Sequence, residues 1–133
     1  MRKEMEGHVY PSYRLKPNRE MARQYLESQG TAADLGEVPL TYMIFLRGET
    51  RGVNLFRDLD IPRTKALHGG QRYEWFRPIG WDDEVEVTAK VLTVTEKSGR
   101  NGTVWIADIE YSYCLAATGE PALREITRII KRG

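Results

Sequence analysis

Residues 66–87 read Ala66-Leu-His-Gly-Gly-Gln-Arg-Tyr-Glu-Trp-Phe-Arg-Pro-Ile-Gly-Trp-Asp-Asp-Glu-Val-Glu-Val87. The first half alternates. Gln71, Tyr73, Trp75 and Arg77 fall on one side of an extended chain and Arg72, Glu74 and Phe76 on the other, the period-two pattern of a strand over 67–77. Pro78 ends it, because proline has no N–H to give to a ladder. Gly80-Trp81-Asp82-Asp83 then turns the chain, and a second strand leaves over 84–95, with Val85, Val87, Ala89 and Val91 on one face and Glu86, Thr88 and Lys90 on the other. Inside the first strand, Gly69-Gly70 marks a bulge or a close backbone approach.

Two more strands follow. Residues 103–115 place Trp105, Ala107, Ile109, Tyr111 and Tyr113 on one face, after a Lys97–Gly102 turn. Residues 123–131 set Ile126 and Ile130 on one face against Thr127 and Ile129 on the other. Upstream, the pattern changes. Tyr42, Met43, Ile44, Phe45 and Leu46 are apolar on nearly every side, so a helix over 40–51 would be wrapped by other structure. A buried strand is the competing reading of so short a run; the continuation through Arg47–Arg51 and the stop at Gly52 favour helix. Asn18 is a good N-cap for an earlier helix bearing Met21, Tyr25 and Leu26 and ending near Gly30. Residues 31–39 read as loop. So do residues 54–65, with Asp58, Asp60 and Pro62, unless they form a short irregular strand. Residues 1–8 are charged and read as loose, and Tyr10-Pro11 as extended or turn.

With 133 residues the chain fits one domain, 1–133, and a 41% hydrophobic share supports a core. A net charge of +1 without a Lys/Arg block gives no electrostatic footprint for nucleic acid. One cysteine, Cys114, rules out an internal disulfide, and two histidines, His8 and His68, without neighbours at ligand spacing argue against a metal site. The N-terminus lacks the apolar stretch of a secretory signal, and no apolar run reaches the ~20 residues of a membrane span. A soluble, cytoplasmic protein is expected.

Four segments, in order, carry a family resemblance. They are Tyr10-Pro-Ser-Tyr13 with its short helix, Val38-Pro-Leu-Thr-Tyr-Met-Ile-Phe-Leu46, Leu67–Val85, and the Lys97–Gly102 hairpin with the Thr118-Gly-Glu-Pro121 turn. This order resembles the MaoC-like hot-dog dehydratases and hydratases, in particular the branch with a fungal fatty-acid-synthase-like dehydratase domain. Trp81-Asp82-Asp83 stands where that branch's pattern has Gly-Asp. The resemblance implies an α+β fold, a hot dog whose central helix is wrapped by a curved antiparallel sheet. It also implies pairing with a second hot dog and reversible hydration of a 2-enoyl thioester of CoA or an acyl carrier protein. CoA or pantetheine then belongs to the substrate, and no metal or other cofactor is implied.

Catalytic members of the family carry an Asp and, about five positions on, a His in the loop before the central helix, which do general acid–base work. The corresponding loop here holds Asp34 and Glu37 but no histidine. The resemblance therefore implies the acyl-accommodating half of a hydratase or dehydratase, one that takes its Asp/His pair from a partner hot dog, in a homodimer or heterodimer. Candidate catalytic groups are Asp34, Glu49 and His68. Asp34 stands in the loop where catalytic members keep their acid–base groups. Hot-dog thioesterases activate water with a carboxylate on or near the central helix, which makes Glu49 the residue of a thioesterase alternative. A solvated or Arg-paired carboxylate, and a strand histidine bonded to backbone, are the plain structural roles. The candidate acyl-binding set is Tyr42 and Phe45 on the central helix, Arg63 and Lys65 after it, and His68 and Gly69 on the next strand. Arg47, Arg51 and Arg57 add guanidinium groups suited to CoA phosphates or an acidic carrier. A non-catalytic acyl-binding or scaffold module is the remaining alternative.

Overall fold

The computed structural model describes residues 1–17, 20, 23–24, 27 and 53–132. The expected central helix over 40–51, with Tyr42, Phe45 and Glu49, lies outside the described residues, as does the loop carrying Asp34. Five strands make one antiparallel sheet: β1 (Tyr13–Leu15), β2 (Ala66–Trp75), β3 (Val85–Gly99), β4 (Gly102–Leu115) and β5 (Pro121–Arg132), in the order β1-β3-β4-β5-β2. This is the curved antiparallel sheet of the α+β hot-dog fold.

Alternation decides which face is buried. Val85, Val87, Ala89 and Val91 of β3, and Ala107, Ile109, Tyr111 and Tyr113 of β4, are all sequestered from water. These strands pair directly, Val87 opposite Tyr113 and Ala89 opposite Tyr111, so their apolar sides merge into one inner face. The opposite face is charged. Arg128 bonds both oxygens of Asp108 (2.8 and 3.0 Å), and Arg124 donates to Glu110 (2.6 Å) across the β4–β5 ladder. Gly102, at φ +99°, closes the two-residue Arg100-Asn101 hairpin between β3 and β4. Asp83 closes the turn before β3. Its Oδ2 accepts from Gly80 N at 2.7 Å, so the Trp-Asp-Asp variant of the turn is held by a side-chain bond.

Two segments differ from the sequence expectation. Residues 54–65 are helical in two places, α1 (Leu55–Asp58) and a 3-10 turn over Arg63–Lys65. Asn54 nucleates α1 by accepting from Arg57 N at 3.2 Å, and Leu55, Leu59 and Ile61 sink into the core. Burial of these apolar groups outweighs the turn propensity of Asp58, Asp60 and Pro62. Residues 1–8, read as loose from their charge, are tied down through their backbone. Arg2 N donates to Leu59 O (3.0 Å) and Gly7 N to Val91 O (2.7 Å), while Val91 N returns a bond to His8 O (2.9 Å). The segment thus runs on toward β1 along the edge of β3, and the Glu6 carboxylate accepts from Val94 N (2.8 Å) beyond the β3 bulge. Backbone pairing of this kind depends on no side chain, so composition does not report it.

Tyr10 ties the N-terminal segment to α1 by donating to Asp58 Oδ2 at 2.7 Å, while Arg57 Nε donates to Oδ1 at 2.9 Å. Burial and the Asp58 carboxylate push the Tyr10 hydroxyl above the ordinary tyrosine range, which keeps it a donor. Partial burial opposes ionisation of Asp58, but the bonds from Arg57 and Tyr10 outweigh it and hold the carboxyl below the usual aspartate range.

β2 carries the bulge expected at its glycines. The register against β5 shifts between His68 and Gly70. A Cβ on Gly69 would stand 2.7 Å from Ile130 Cδ1, 2.8 Å from Ile130 Cγ1 and 2.9 Å from Arg128 Cγ, so the bulge needs a glycine on steric grounds.

Two substitutions test these anchors. Gly69→Ala overpacks the bulge against Ile130 and is expected to cost about 1–3 kcal/mol in urea unfolding; a loss within ~0.3 kcal/mol would show that the close approach carries no constraint. Asp58→Ala is expected to cost about 1 kcal/mol at neutral pH, most of it from the Tyr10 bond, because the Arg57 side chain is 68% exposed and its pair is screened. Because the folded-state pKa of Asp58 is depressed, its contribution is present above the unfolded value of about 3.9 and is lost as pH falls through the folded one. The gap between wild type and Asp58→Ala should therefore close on acidification below about pH 4, and a gap that widened there would contradict the assignment.

Candidate functional site

Among the described residues, the buried inner face of the sheet is apolar except at Glu125 and Thr127 of β5. Glu125, at the middle of β5, is fully buried (0% exposed). A carboxylate removed from water needs donors, and two strands supply them. Tyr113 of β4 donates its hydroxyl to Oε1 at 2.9 Å, and Gln71 of β2 donates its amide Nε2 to Oε2. The other end of the Gln71 amide is also engaged: Oε1 accepts from the Thr127 hydroxyl at 3.2 Å and faces His68 Nε2 at 3.0 Å. A continuous polar chain therefore runs Tyr113–Glu125–Gln71–His68.

The bulge makes this chain possible. In a regular strand, residues three apart point to opposite faces. The extra residue at Gly69-Gly70 puts His68 and Gln71 on the same side, His68 opposite Ile129 and Gln71 opposite Thr127.

The chain ends at a cavity. A space of about 420 Å³ lies between the α1 segment and the inner face, lined by Val53, Leu55 and Phe56 on one side and Tyr111, Thr127 and Ile129 on the other. Arg63 and His68 also line it. His68 is solvent-exposed as well, so it stands at the rim. The Arg63 guanidinium lies 4.2 Å from the centre of the Phe56 ring, a cation–π contact that fixes its position beside the opening. The volume is within the range of small-molecule sites, with apolar walls and a few convergent polar groups.

Of the residues singled out from sequence, His68 and Arg63 come together at this cavity. Lys65 is exposed and is not part of its wall: it follows Arg63 by two in a 3-10 turn of three residues per turn, which aims the two side chains differently. Gly69 is not in that wall either. It lines a shallow depression with Asp108, Ile126 and Arg128, because the bulge turns its backbone toward the charged face. Arg57, offered as a phosphate-binding group, is engaged by Asp58. Asp34, Tyr42, Phe45 and Glu49, together with Arg47 and Arg51, lie outside the described residues. Sequence reading missed Glu125, Gln71 and Tyr113 as a polar unit. Among the described residues no cluster of His, Cys, Asp and Glu is arranged to hold a metal ion.

Glu125→Gln tests the network. The neutral amide leaves one acceptor oxygen for two donors and turns an N–H₂ toward the other, with an expected loss of about 1–3 kcal/mol in chemical unfolding. A neutral result would mean that water or another group satisfies Gln71 and Tyr113 without the carboxylate.

The model of the FAS1-like, dehydratase domain region family matches residues 23–123. A search of curated proteins returns no match. Among solved structures, the chain is similar to the C-terminally truncated HadBC (3R-Hydroxyacyl-ACP Dehydratase) complex from Mycobacterium tuberculosis, with TM-score 0.71, 19% identity, and 95% of this chain and 96% of that one covered. It is also similar to the ChsH1-ChsH2 complex of the same organism, with TM-score 0.68, 14% identity and coverage of 92% and 83%. For the (R)-hydratase from A. caviae involved in PHA biosynthesis, the TM-score is 0.64 at 14% identity, with 96% of each chain covered. At these identities the structures establish the shared hot-dog fold, and the family model, spanning most of the chain, establishes the lineage: the chain belongs to the FAS1-like dehydratase domain region family.

Proposed function

We propose that this chain is the acyl-accommodating subunit of a MaoC-like enoyl-thioester hydratase or 3-hydroxyacyl-thioester dehydratase, and that a partner hot dog supplies the Asp/His pair. One observation carries the reading. The whole sequence contains two histidines, and neither belongs to the loop over 31–39. His8 packs edge-on against Tyr10, with ring centroids 4.6 Å apart, and His68 sits on β2 bonded to Gln71. The general acid–base chemistry of hydration needs a group that moves a proton to and from water at the reacting carbon. Without a loop histidine, that role falls to another subunit.

The cavity supports the other half of the reading. Its walls are apolar enough for an acyl chain, and Arg63 at its edge suits the phosphates of CoA or the acidic surface of a carrier protein. β2 lies at the end of the strand order, and Leu67 on it and Phe76 just past its end are exposed (43% and 53%). An open edge with apolar neighbours is a surface that a second hot dog would cover. Two complexes, HadBC and ChsH1-ChsH2, are among the structures similar to it. Hydration forms a C–O bond at C3 and a C–H bond at C2 as the π bond and one O–H bond of water break, and dehydration reverses this with no external oxidant or reductant, so the proposal requires no resident cofactor; CoA or pantetheine arrives with the substrate. None of the described helices is long and apolar enough to cross a membrane, which fits a thioester drawn from an aqueous pool.

The purified chain, assayed alone on a short and a long 2-enoyl-CoA, is expected to show no hydration above background. The same acyl-CoA should raise its melting temperature, since a ligand that binds only the folded state stabilises it. Mixing with a hot dog that carries the Asp/His pair should then give turnover. Robust turnover by the chain alone would overturn the division of labour, and the absence of any thermal shift would overturn the acyl-binding role.

A further inference from the structure

The polar chain on the inner face fixes more than the position of His68. It fixes which of its ring nitrogens carries the proton. Glu125 accepts at both oxygens, from Tyr113 and from Gln71. That contact orients the Gln71 amide, with Nε2 toward the carboxylate and Oε1 away from it. Thr127 confirms the orientation by donating to the same Oε1. An oxygen is therefore what His68 Nε2 meets at 3.0 Å. Two acceptors cannot bond each other, so Nε2 bears the hydrogen, and in the neutral ring Nδ1 holds the lone pair. Among the described residues Nδ1 has no hydrogen-bond partner.

We propose that His68 is the hydroxyl-reading residue of the cavity: held by Gln71 as the Nε2–H tautomer, it offers Nδ1 as the acceptor for the hydroxyl of a 3-hydroxyacyl thioester. The inference rests on the acyl-binding role proposed above. Its chemistry follows from the surroundings. Most of the cavity wall around His68 is apolar, Arg63 and Thr127 being the other polar lining groups, and a hydroxyl set against apolar side chains is poorly solvated unless an acceptor meets it. A saturated acyl chain needs no such partner. His68 thereby becomes a specificity determinant, and Gln71 and Glu125 are positioning residues that act through it.

The test compares three ligands by isothermal titration in buffer alkaline enough to keep imidazole neutral: CoA, butyryl-CoA and 3-hydroxybutyryl-CoA. Wild type is expected to bind the hydroxyacyl ester about tenfold more tightly than the saturated one, the worth of one satisfied hydrogen bond. His68→Phe is expected to lose that preference and bind the two esters with equal affinity. The substitution is made at an exposed rim position, and Gln71 keeps Thr127 and Glu125 as partners. A second readout needs no variant: a long-range ¹H–¹⁵N spectrum of the wild-type protein should show His68 protonated at Nε2 and unprotonated at Nδ1. A spectrum with the proton on Nδ1 overturns the inference, as does a hydroxyl preference that survives His68→Phe, or an equal weakening of both esters, which would assign His68 to the pantetheine amides they share. If none of the three ligands binds wild type while the spectrum shows the Nε2–H tautomer, it is the acyl-binding reading that fails and not the ring assignment.

Discussion

A carboxylate fully removed from water is stable only where donors reach both of its oxygens, and Glu125 has them because it sits on the strand between two others. β5 pairs with β4 on one side and β2 on the other, so Tyr113 and Gln71 approach from opposite directions. This couples the registers of three strands. A one-residue slip of β2 would turn Gln71 to the charged face and leave Glu125 short of a donor, a cost added to that of misplacing Trp75. Apolar packing of β3 on β4 stabilises the sheet whatever β2 does. The polar unit instead selects a single alignment for the edge strand, the use for which buried polar groups are best attested.

That alignment has a consequence at the cavity. Without the Gly69-Gly70 bulge, His68 would share the face of Arg72 and Glu74 and could not meet Gln71. With it, the polar chain reaches from the middle of the sheet to the rim of the apolar space. Gly69 must remain small because Ile130 occupies the room a side chain would need. Strain is avoided by composition here, and the geometry of the rim follows from a backbone feature that no single side chain encodes.

The strands were legible in the sequence because period-two alternation is a local property: the faces of β3 and β4 follow from Val85 to Val91 and from Trp105 to Tyr113, and the bulge from two adjacent glycines. What escaped was either too short or non-local. α1 spans four residues, fewer than any periodicity needs, and Asp58 and Pro62 argue locally for a turn while the burial of Leu59 and Ile61 decides otherwise. β5 has apolar residues on both faces, Leu123 and Ile129 on one and Ile126 and Ile130 on the other, so alternation could not say which face carried the core, and a buried Glu125 was hidden behind that ambiguity. Arg63 and Lys65 look equivalent as neighbouring cations; only the pitch of the 3-10 turn and the Phe56 ring separate them. The pairing of His68 with Gln71 needed the bulge register, which glycines suggest but do not specify.

The missing loop histidine and the retained cavity can belong to one molecule because they depend on different parts of the fold. Cavity walls are set by strand register and by the α1 segment, both bound into the core. The acid–base groups of catalytic relatives sit on a loop, where replacing a side chain disturbs no packing. A loop without a histidine is therefore compatible with an intact cavity, which is the combination that the proposed partner-dependent subunit requires.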